Sequence, residues 1–365
     1  MVPQANQRYN TEQQKSESKV EDNMKKYNAK KSAGEPTTLL LTRSDLSPLL
    51  TSHDYIKGIE YAFRQYGEGH SFGNSMIHGD TPSDLEFHIK AGGLLWKGKP
   101  YFALKANGSS FQNRKLRGLP NILGVIILFD GESGFPLAIM ESTELTRQRT
   151  AAGTVVALKF LAPADTRRLL LCGCGLQGRT HMEYLKEVLP LDEVFVYDLQ
   201  RDVGLEFAQK MELKLGIPVH FVPDVLPEAS RCKLIVTCTP SKTPYLKASD
   251  IRAGTTIAAV GADSPDKQEL DPHLLKRNKV VVDILSQCTA AGELHHAILA
   301  GLVTEEDIHA EIGDVVAGKK PGRETADEVI IYKATGTAIQ DTAAAIMVYE
   351  KATASNVGLP IDLFA

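Results

Sequence analysis

The stretch Leu169-Leu170-Leu171-Cys172-Gly173-Cys174-Gly175-Leu176-Gln177-Gly178 is an apolar run that ends in a G-x-G-x-x-G turn. In the following residues, 179–188, apolar side chains recur every three or four positions, as they do along one face of a helix. A second apolar run, residues 194–197, ends in Asp198. Strand, glycine-rich turn, helix, strand and acidic residue thus follow in the order of a dinucleotide-binding βαβ unit. The sequence therefore predicts a dinucleotide site at this turn.

The glycines of the turn have separate tasks. One permits the tight turn, one lets the backbone approach a pyrophosphate, and one lets helix and strand pack closely. Asp198 lies slightly beyond the usual spacing of about 20 residues, and its carboxylate would bind a free 2′-hydroxyl and repel a 2′-phosphate, which favours NAD over NADP. Arg201 is the nearby group that could instead reach a phosphate. The predicted cofactor-binding residues are Gly173, Gly175, Leu176, Gln177, Gly178, Asp198, Thr150, Thr239 and Val260.

The composition is that of an ordinary soluble globular protein, with 43% hydrophobic and 24% charged residues among 365. The formal net charge is -4, and no stripe of Lys and Arg is interleaved with aromatic residues, so nucleic acid is not expected as a partner. No apolar run has the length of a membrane span, and the N-terminus has no apolar core of a secretory signal. We therefore expect a cytoplasmic protein without membrane contact.

The five cysteines are odd in number and lie mostly in predicted strands, which is typical of reduced, buried thiols in a cytosolic protein. Cys172 and Cys174 are separated by one residue and have no partner pair nearby, so their spacing does not suit a metal site. The stretch Glu293-Leu294-His295-His296 has metal-like residues, but adjacent residues on a helix point about 100° apart. No metal site is predicted.

Three regions differ in their patterns. Residues 1–36 are polar and offer almost nothing to bury, so we expect a disordered tail. Short β-type runs between 85 and 141 indicate an antiparallel sheet, whereas apolar runs that alternate with helix-length segments from 150 to about 318 indicate a doubly wound parallel sheet. The predicted fold class is α/β, with a Rossmann domain over 150–320 and a smaller discontinuous α+β domain over 37–149 and 321–365.

Four segments match one known family in order and spacing. They are Arg149-Thr150-Ala151-Ala152, the string from Ala259 to Asp271 (AVGADSPDKQELD), Gly292-Glu293-Leu294, and Thr335-Gly336-Thr337-Ala338-Ile339-Gln340-Asp341. With these segments the chain resembles the ornithine cyclodeaminase/mu-crystallin family from about residue 40 to 360. The resemblance implies a nicotinamide cofactor and a small-molecule substrate that is an α-amino or α-imino acid. Together with the sheet edges that residues 85–141 would expose, it also implies a homodimer joined through that antiparallel sheet and the C-terminal helix of the smaller, substrate-binding domain.

The resemblance also implies roles for single residues. Arg149 matches the family's carboxylate-binding arginine, although by itself it could be a surface arginine. Lys105, at the end of a predicted strand, matches a lysine near the substrate and is taken as both substrate-binding and catalytic. Asp263 matches the acidic catalytic residue, a general acid/base, although an Asp before Ser-Pro could simply form a turn.

One departure from the family concerns its N-terminal sheet, where cyclodeaminases carry a further arginine. The corresponding segments here, 75–80 and 86–93, contain no arginine. Lys90 or His88 is predicted to take over the carboxylate contact, with Lys90 preferred. The absence of that arginine weakens the case for ornithine as the substrate.

Function is less narrowly determined, because the family includes cyclodeaminases, dehydrogenases, imine reductases and a hormone-binding crystallin. The leading hypothesis is an NAD-dependent ornithine cyclodeaminase-like enzyme, which converts ornithine to proline with loss of ammonia and no net redox change. The first alternative is an NAD(P)-dependent amino-acid dehydrogenase or a reductase of cyclic imines such as pyrroline carboxylate. The alternative from another class is a non-catalytic binding protein similar to mu-crystallin.

Overall fold

The structure is a computed structural model that describes residues 37–81, 85–110 and 112–364. The predicted disordered tail, residues 1–36, lies outside the described residues. The strands are β1 Thr38–Leu41, β2 Ser71–Asp80, β3 Glu86–Trp96, β4 Lys99–Ser109, β5 Ile122–Asp130, β6 Pro136–Glu141, β7 Arg168–Cys172, β8 Glu193–Tyr197, β9 Val219–Phe221, β10 Leu234–Thr237, β11 Thr256–Ala259, β12 Lys279–Val282, β13 Ala310–Glu311, β14 Ile330–Lys333 and β15 Leu359–Ile361. The longer helices are Ser52–Gly67, Ser142–Leu161, Leu176–Val188, Arg201–Leu215, Gly292–Leu299 and Ala338–Ser355, and shorter helical turns are Arg43–Leu46, Asn113–Arg117, Leu226–Ala229, His273–Lys276, Leu285–Cys288 and Ile312–Val316.

An eight-stranded sheet has the order β13-β12-β14-β11-β10-β7-β8-β9, and every pair in it is parallel. Starting from β7, the chain adds β8 and β9 on one side and β10 and β11 on the other. The strand order therefore reverses between β7 and β10, which is where doubly wound sheets bind ligands at the carboxyl ends of their strands. The predicted Rossmann fold is confirmed.

A seven-stranded sheet has the order β15-β1-β6-β5-β4-β3-β2 and is antiparallel from β2 to β6. Helix Ala338–Ser355 covers one face of it, packing on β3 and β4. The approach is close, because a Cβ placed on Gly92 of β3 would lie 2.9 Å from the Cβ of Ala338. On its other side the helix packs against Ser52–Gly67 and Ser142–Leu161, so most of its surface is buried within the chain.

Helix Ser142–Leu161 connects the two sheets and is buried over most of its length. Its N-terminus is capped by Glu141, whose side chain accepts hydrogen bonds from the backbone N–H groups of Thr143 and Glu144. The predicted domain boundary between 149 and 150 lies inside this helix. Arg149 and the alanines that follow continue the helix across the boundary, and neither glycine nor proline interrupts it there.

The prediction for the C-terminal region needs a correction. Residues 321–365 were assigned as a whole to the smaller domain, but β14 lies in the parallel sheet between β11 and β12. All four residues of β14 are buried, as is usual for a strand covered on both faces. A short apolar run does not reveal which sheet it joins, and only the helix that follows it packs on the antiparallel sheet. Among the described residues, no helix is long and apolar enough to cross a membrane.

Candidate active site

A cavity of about 190 Å³ lies between the carboxyl ends of the parallel strands and the helix-covered face of the antiparallel sheet. Side chains alternate between the two faces of a strand, so His88 and Lys90 of β3 share this face with Lys105 and Asn107 of β4. The loops after β7, β10, β11 and β14 close the cavity from the other side. Among the predicted residues, those that line the cavity are His88, Lys90, Lys105, Arg149, Thr150, Gln177, Thr239, Val260 and Asp263.

The centre of the site is a buried carboxylate between two cations. Asp341 Oδ1 accepts hydrogen bonds from Arg149 Nε at 2.8 Å and from Lys105 Nζ at 2.9 Å. All three side chains are at most 4% exposed. Sequence reasoning quoted Asp341 within a family segment but assigned it no role. The available signal was an acidic residue in the first turn of a helix whose following residues are mostly apolar.

The charges around Lys105 change its acidity. Burial lowers the pKa of this ammonium, the Arg149 guanidinium lowers it further, and Asp341 raises it, so that the pKa falls from 10.5 to about 7. Burial also raises the pKa of Asp341, but the adjacent Arg149 and Lys105 outweigh that effect and lower it. Asp341 is thus a carboxylate at neutral pH, and Lys105 can exchange a proton there.

Lys90 lies directly opposite Lys105 in the β3–β4 pairing, where two like charges would repel each other. Its Nζ donates to the carbonyl oxygens of Thr335 and Gly336, each at 2.7 Å. Those two residues are held in turn by Asp283, whose Oδ2 accepts from the backbone N–H of Thr335 at 2.8 Å and of Gly336 at 2.7 Å. The loop after β14 therefore stabilises the Lys90 ammonium against the sheet.

Glycine is required at position 336. The residue has φ 76°, and a Cβ there would lie 2.4 Å from the Nη1 of Arg149. Any side chain would therefore displace the guanidinium that pairs with Asp341. The family segment from Thr335 to Asp341 thus contributes three features to the site: carbonyls for Lys90, a close approach to Arg149, and the carboxylate of Asp341.

Asp263 follows β11 at the mouth of the cavity, and its side chain is 40% exposed. Its Oδ1 accepts a hydrogen bond from Lys267 Nζ at 2.9 Å. Burial raises the pKa of this carboxyl, but the charges of Lys267, His88 and Lys90 outweigh burial, and the pKa lies below its ordinary value. Asp263 is thus an anion at neutral pH and a weak proton acceptor.

The glycine-rich turn has the geometry that the sequence predicted for pyrophosphate binding. Gly173 has φ +103°, and a Cβ on it would lie 2.7 Å from the carbonyl oxygen of Cys238. A Cβ on Gly178 would lie 2.0 Å from the carbonyl oxygen of Gly173, so helix and strand can pack only with glycine there. Gly175 is the N-cap residue of helix Leu176–Val188, and a Cβ on it would have no atom within 4 Å among the described residues. A phosphate can approach the free N–H groups of that helix end.

Asp198 follows β8, and each of its carboxylate oxygens accepts one backbone hydrogen bond. Oδ2 accepts from the N–H of Cys174 at 2.9 Å and Oδ1 from the N–H of Gln200 at 2.9 Å. A carboxylate has about four acceptor positions, so capacity for ribose hydroxyls is left. The turn and Asp198 are thus joined directly.

Three buried polar atoms at the cavity have no hydrogen-bond partner among the described residues. They are His88 Nδ1, Thr146 Oγ1 and Gln177 Oε1. Buried polar groups are normally paired. Their position around one cavity is what a site built for a polar ligand requires, and together with the glycine turn it fits a dinucleotide and a small polar substrate.

Sequence reasoning also missed the role of Glu269, which lies in the quoted string 259–271. Its fully buried carboxylate accepts from the backbone N–H of Thr239 at 2.7 Å and of Gly261 at 2.9 Å. It also accepts from the hydroxyl of Thr237 at 2.7 Å. The ends of β10 and β11, where Thr239 and Val260 face the cavity, are therefore held together by one carboxylate.

Comparison with known proteins finds relatives that match most of the chain. The sequence model of the ornithine cyclodeaminase/mu-crystallin family matches residues 37–356. An alanine dehydrogenase of Archaeoglobus fulgidus is 38% identical over 332 residues, which cover 90% of this chain and 99% of that protein.

Two solved structures are similar over nearly their whole length. An archaeal alanine dehydrogenase dimer with bound NAD superposes with a TM-score of 0.84 at 38% identity, and the match covers 90% of this chain and 100% of that one. The Δ1-pyrroline-2-carboxylate reductase of Thermococcus litoralis, in complex with NADH and L-proline, has a TM-score of 0.83 at 32% identity and covers 88% of this chain and 99% of that one.

Proposed function

Since this chain belongs to the ornithine cyclodeaminase/mu-crystallin family, we propose that it is an NAD-dependent oxidoreductase acting at the Cα atom of a small α-amino or α-imino acid. The observation that carries the proposal is the buried Arg149–Asp341–Lys105 group beside the carboxyl ends of β10 and β11. Arg149 and Lys105 line one small cavity, in which we assign the guanidinium to binding a carboxylate and the lysine to exchanging a proton. The predicted roles of the other site residues are retained as part of this proposal, except that of Asp263.

NAD is assigned as the cofactor because Gly173, Gly175 and Gly178 form a turn that accepts a pyrophosphate and Asp198 follows the next strand. When bound, NAD supplies or accepts the hydride. Thr239 and Val260 line the cavity and are held in place through Glu269. They would contact the nicotinamide end of the cofactor.

Arg149 is assigned to the substrate carboxylate. Its Nε is used by Asp341, and a guanidinium has five N–H donors, so part of its fork remains for a ligand. Lys90 extends the positive surface beside it. A carboxylate held by these groups fixes the position of Cα, and such fixing accounts for much of the rate of a hydride transfer.

Lys105 is assigned to proton transfer, with a pKa of about 7 that suits exchange at neutral pH. In the reductive direction its ammonium donates a proton to the nitrogen of the imine while Cα receives the hydride. In the oxidative direction the neutral amine accepts a proton as the amine becomes an imine. Asp263 was expected from the sequence to carry the proton; as an anion it is better suited to stabilise the cationic iminium.

Net oxidoreduction is preferred over cyclodeamination for a reason of charge. The cavity is lined by several cationic or basic side chains, and its exposed anion, Asp263, is already paired with Lys267. A second substrate ammonium, such as that of ornithine, would have little to bind. A neutral or acidic substrate side chain fits this lining better. Cyclodeamination remains the second candidate, supported by the presence of Asp263 at the end of β11.

The two candidates differ in what accumulates. An amino-acid dehydrogenase converts an amino acid, NAD⁺ and water to a 2-oxo acid, ammonium, NADH and a proton, and a cyclic-imine reductase oxidises NADH. A panel of alanine, pyrroline-2-carboxylate, ornithine and lysine, with NAD and NADP, should show stoichiometric change in NADH absorbance with one of the first two. Proline and ammonia formed from ornithine without net NADH would establish the cyclodeaminase instead. If no deuterium passed from Cα-deuterated substrates into NAD, a non-catalytic binding protein would be indicated.

We also propose a homodimer formed by the uncovered face of the antiparallel sheet. On that face Ile77, Ile89, Ala106 and Val125 form one continuous row across β2, β3, β4 and β5. Ile77 is 61% and Val125 42% exposed. Soluble monomers rarely expose contiguous apolar surface to water. A second copy of the same face would bury it. The sequence also placed the helix Ala338–Ser355 in the interface, but that helix is largely covered by its own chain.

A further inference from the structure

A cluster of three potential metal ligands lies at the rim of the candidate active site. His78 of β2 and His88 of β3 are directly opposite in the antiparallel pairing, so their side chains share a face, and their ring centroids are 4.3 Å apart. Glu86 precedes His88 by two positions and therefore points to the same face. One ligand atom from each of the three residues lies within 4.8 Å of the others.

We propose that His78, Glu86 and His88 bind one divalent cation of the zinc type. Two imidazoles and one carboxylate are a donor set that zinc uses when a position is left open for water or substrate. Bonds of about 2.0–2.2 Å in tetrahedral geometry place neighbouring ligand atoms about 3.3–3.6 Å apart. His88 Nε2 and Glu86 Oε2 are already 3.2 Å apart, so this pair needs little movement.

The ring of His88 also has a nitrogen that is available to a ligand. Its Nδ1 is buried and has no hydrogen-bond partner among the described residues. Buried polar groups are normally paired.

The local charge also suits a cation. Besides His88, Glu86 lies 3.5 Å from the hydroxyl of Ser109 and 3.7 Å from Nζ of Lys267. That ammonium is shared with Asp263 at 2.9 Å. Two carboxylates and one ammonium leave one negative charge at the rim, which attracts an arriving cation.

Binding at this rim has a consequence for turnover, and this part rests on the proposed function. His88 lines the same cavity as Lys90 and Asp263. A cation held by His88 would present its open position to that cavity, where it would compete with the cationic side chains for the substrate carboxylate. Added zinc should therefore inhibit the enzyme, and a chelator should restore activity.

The test uses the metal alone with full-length, chelator-treated protein. Calorimetric titration with Zn²⁺ and visible absorption with Co²⁺ should both give one ion per chain. His78→Ala should weaken binding at least about 10–100-fold, since loss of an outer-sphere partner alone has that effect. His53→Ala, on the exposed surface of helix Ser52–Gly67, should bind as the unaltered protein does. His78→Cys, which keeps a ligand atom, should retain binding and show thiolate absorption with Co²⁺.

The proposal would be overturned by the absence of stoichiometric binding, or by equal affinity in His78→Ala and the unaltered protein. Metal binding is measured without turnover, so failure of the proposed reaction leaves this result unaffected. Conversely, an active enzyme that binds zinc without inhibition would contradict the regulatory part alone. His78→Ala should keep its basal activity, because His78 does not line the cavity.

Discussion

The ammonium of Lys105 donates a hydrogen bond at 2.9 Å to the carboxylate of Asp341, although the two residues are 236 positions apart in the sequence and neither is exposed. This contact holds a lysine with a lowered pKa next to the guanidinium of Arg149. It connects the antiparallel sheet to the C-terminal helix, and it partly offsets the lowering of the Lys105 pKa by burial and by Arg149.

Replacing Asp341 by Asn should lower the pKa of Lys105 below its value of about 7, because Asp341 is the neighbour that raises it. An opposite charge at this distance contributes about 1–3 pKa units. In the reductive direction, the limb of the pH–rate profile that reports loss of the Lys105 proton should move to lower pH by that amount. Asp266→Asn, at an exposed carboxylate paired with Lys242, is the control. An unmoved limb would contradict the assignment of Lys105.

Stability should also depend on Lys105. Its pKa is about 7 in the folded protein and near 10.5 when unfolded, so the unfolded chain binds more protons between these values. The free energy of unfolding contributed by this group therefore rises with pH across that window, and the full cost of burying the ammonium is present below it. Relative to the unaltered protein, Lys105→Met should have its largest gain in free energy of unfolding below neutral pH. That gain should shrink as the pH rises, and urea unfolding of both proteins measures it. Parallel pH dependences would show that Lys105 has an ordinary pKa.

Asp263→Asn should lower kcat by a factor of about 10²–10⁴, the usual range for a group acting on charge or protons in the transition state. NAD affinity should hardly change, because Asp263 is not part of the glycine turn. The limb of the pH–rate profile that we assign to Lys105 should persist, which would separate the role of Asp263 from that of Lys105. Asp266→Asn again serves as the control. If kcat stayed near normal, His88 would be the next residue to test.

Asp198→Ala should narrow the preference for NAD over NADP. The carboxylate would no longer repel a 2′-phosphate, and its hydrogen bonds to Cys174 and Gln200 would be lost. Dissociation constants for both cofactors measure the effect, with Asp202→Ala on the exposed start of the next helix as control. A native preference for NADP that depends on Arg201 would show the interpretation of this strand end to be wrong.

Val125→Asp should convert the proposed dimer to monomers, because it introduces a charge into the apolar row of β2–β5. Leu213→Asp, at an apolar residue that is 82% exposed on helix Arg201–Leu215, should leave the assembly unchanged. Light scattering at micromolar concentration distinguishes the two states. A native monomer at that concentration would contradict the proposed interface.

The sequence by itself determined the parallel sheet, the glycine turn and Asp198, and through its motifs the family. These features depend on residues that are close together in the sequence. The spacing of apolar residues distinguishes helices from strands, and a tight turn needs glycine in any fold. Arg149, Lys105 and Asp263 were identified from motifs. Their burial, partners and acidity were not contained in those motifs.

Tertiary structure alone decided which distant residues meet. Asp341 joins Lys105, Glu269 holds the ends of β10 and β11, and β14 enters the parallel sheet, each through packing of segments far apart in the chain. The register of β2 on β3 sets His78 opposite His88, and a shift by one residue would turn His78 to the opposite face. Strand register and helix packing are set by burial summed over whole sheets. The pKa values that follow from them depend on that burial, which no short stretch of sequence specifies.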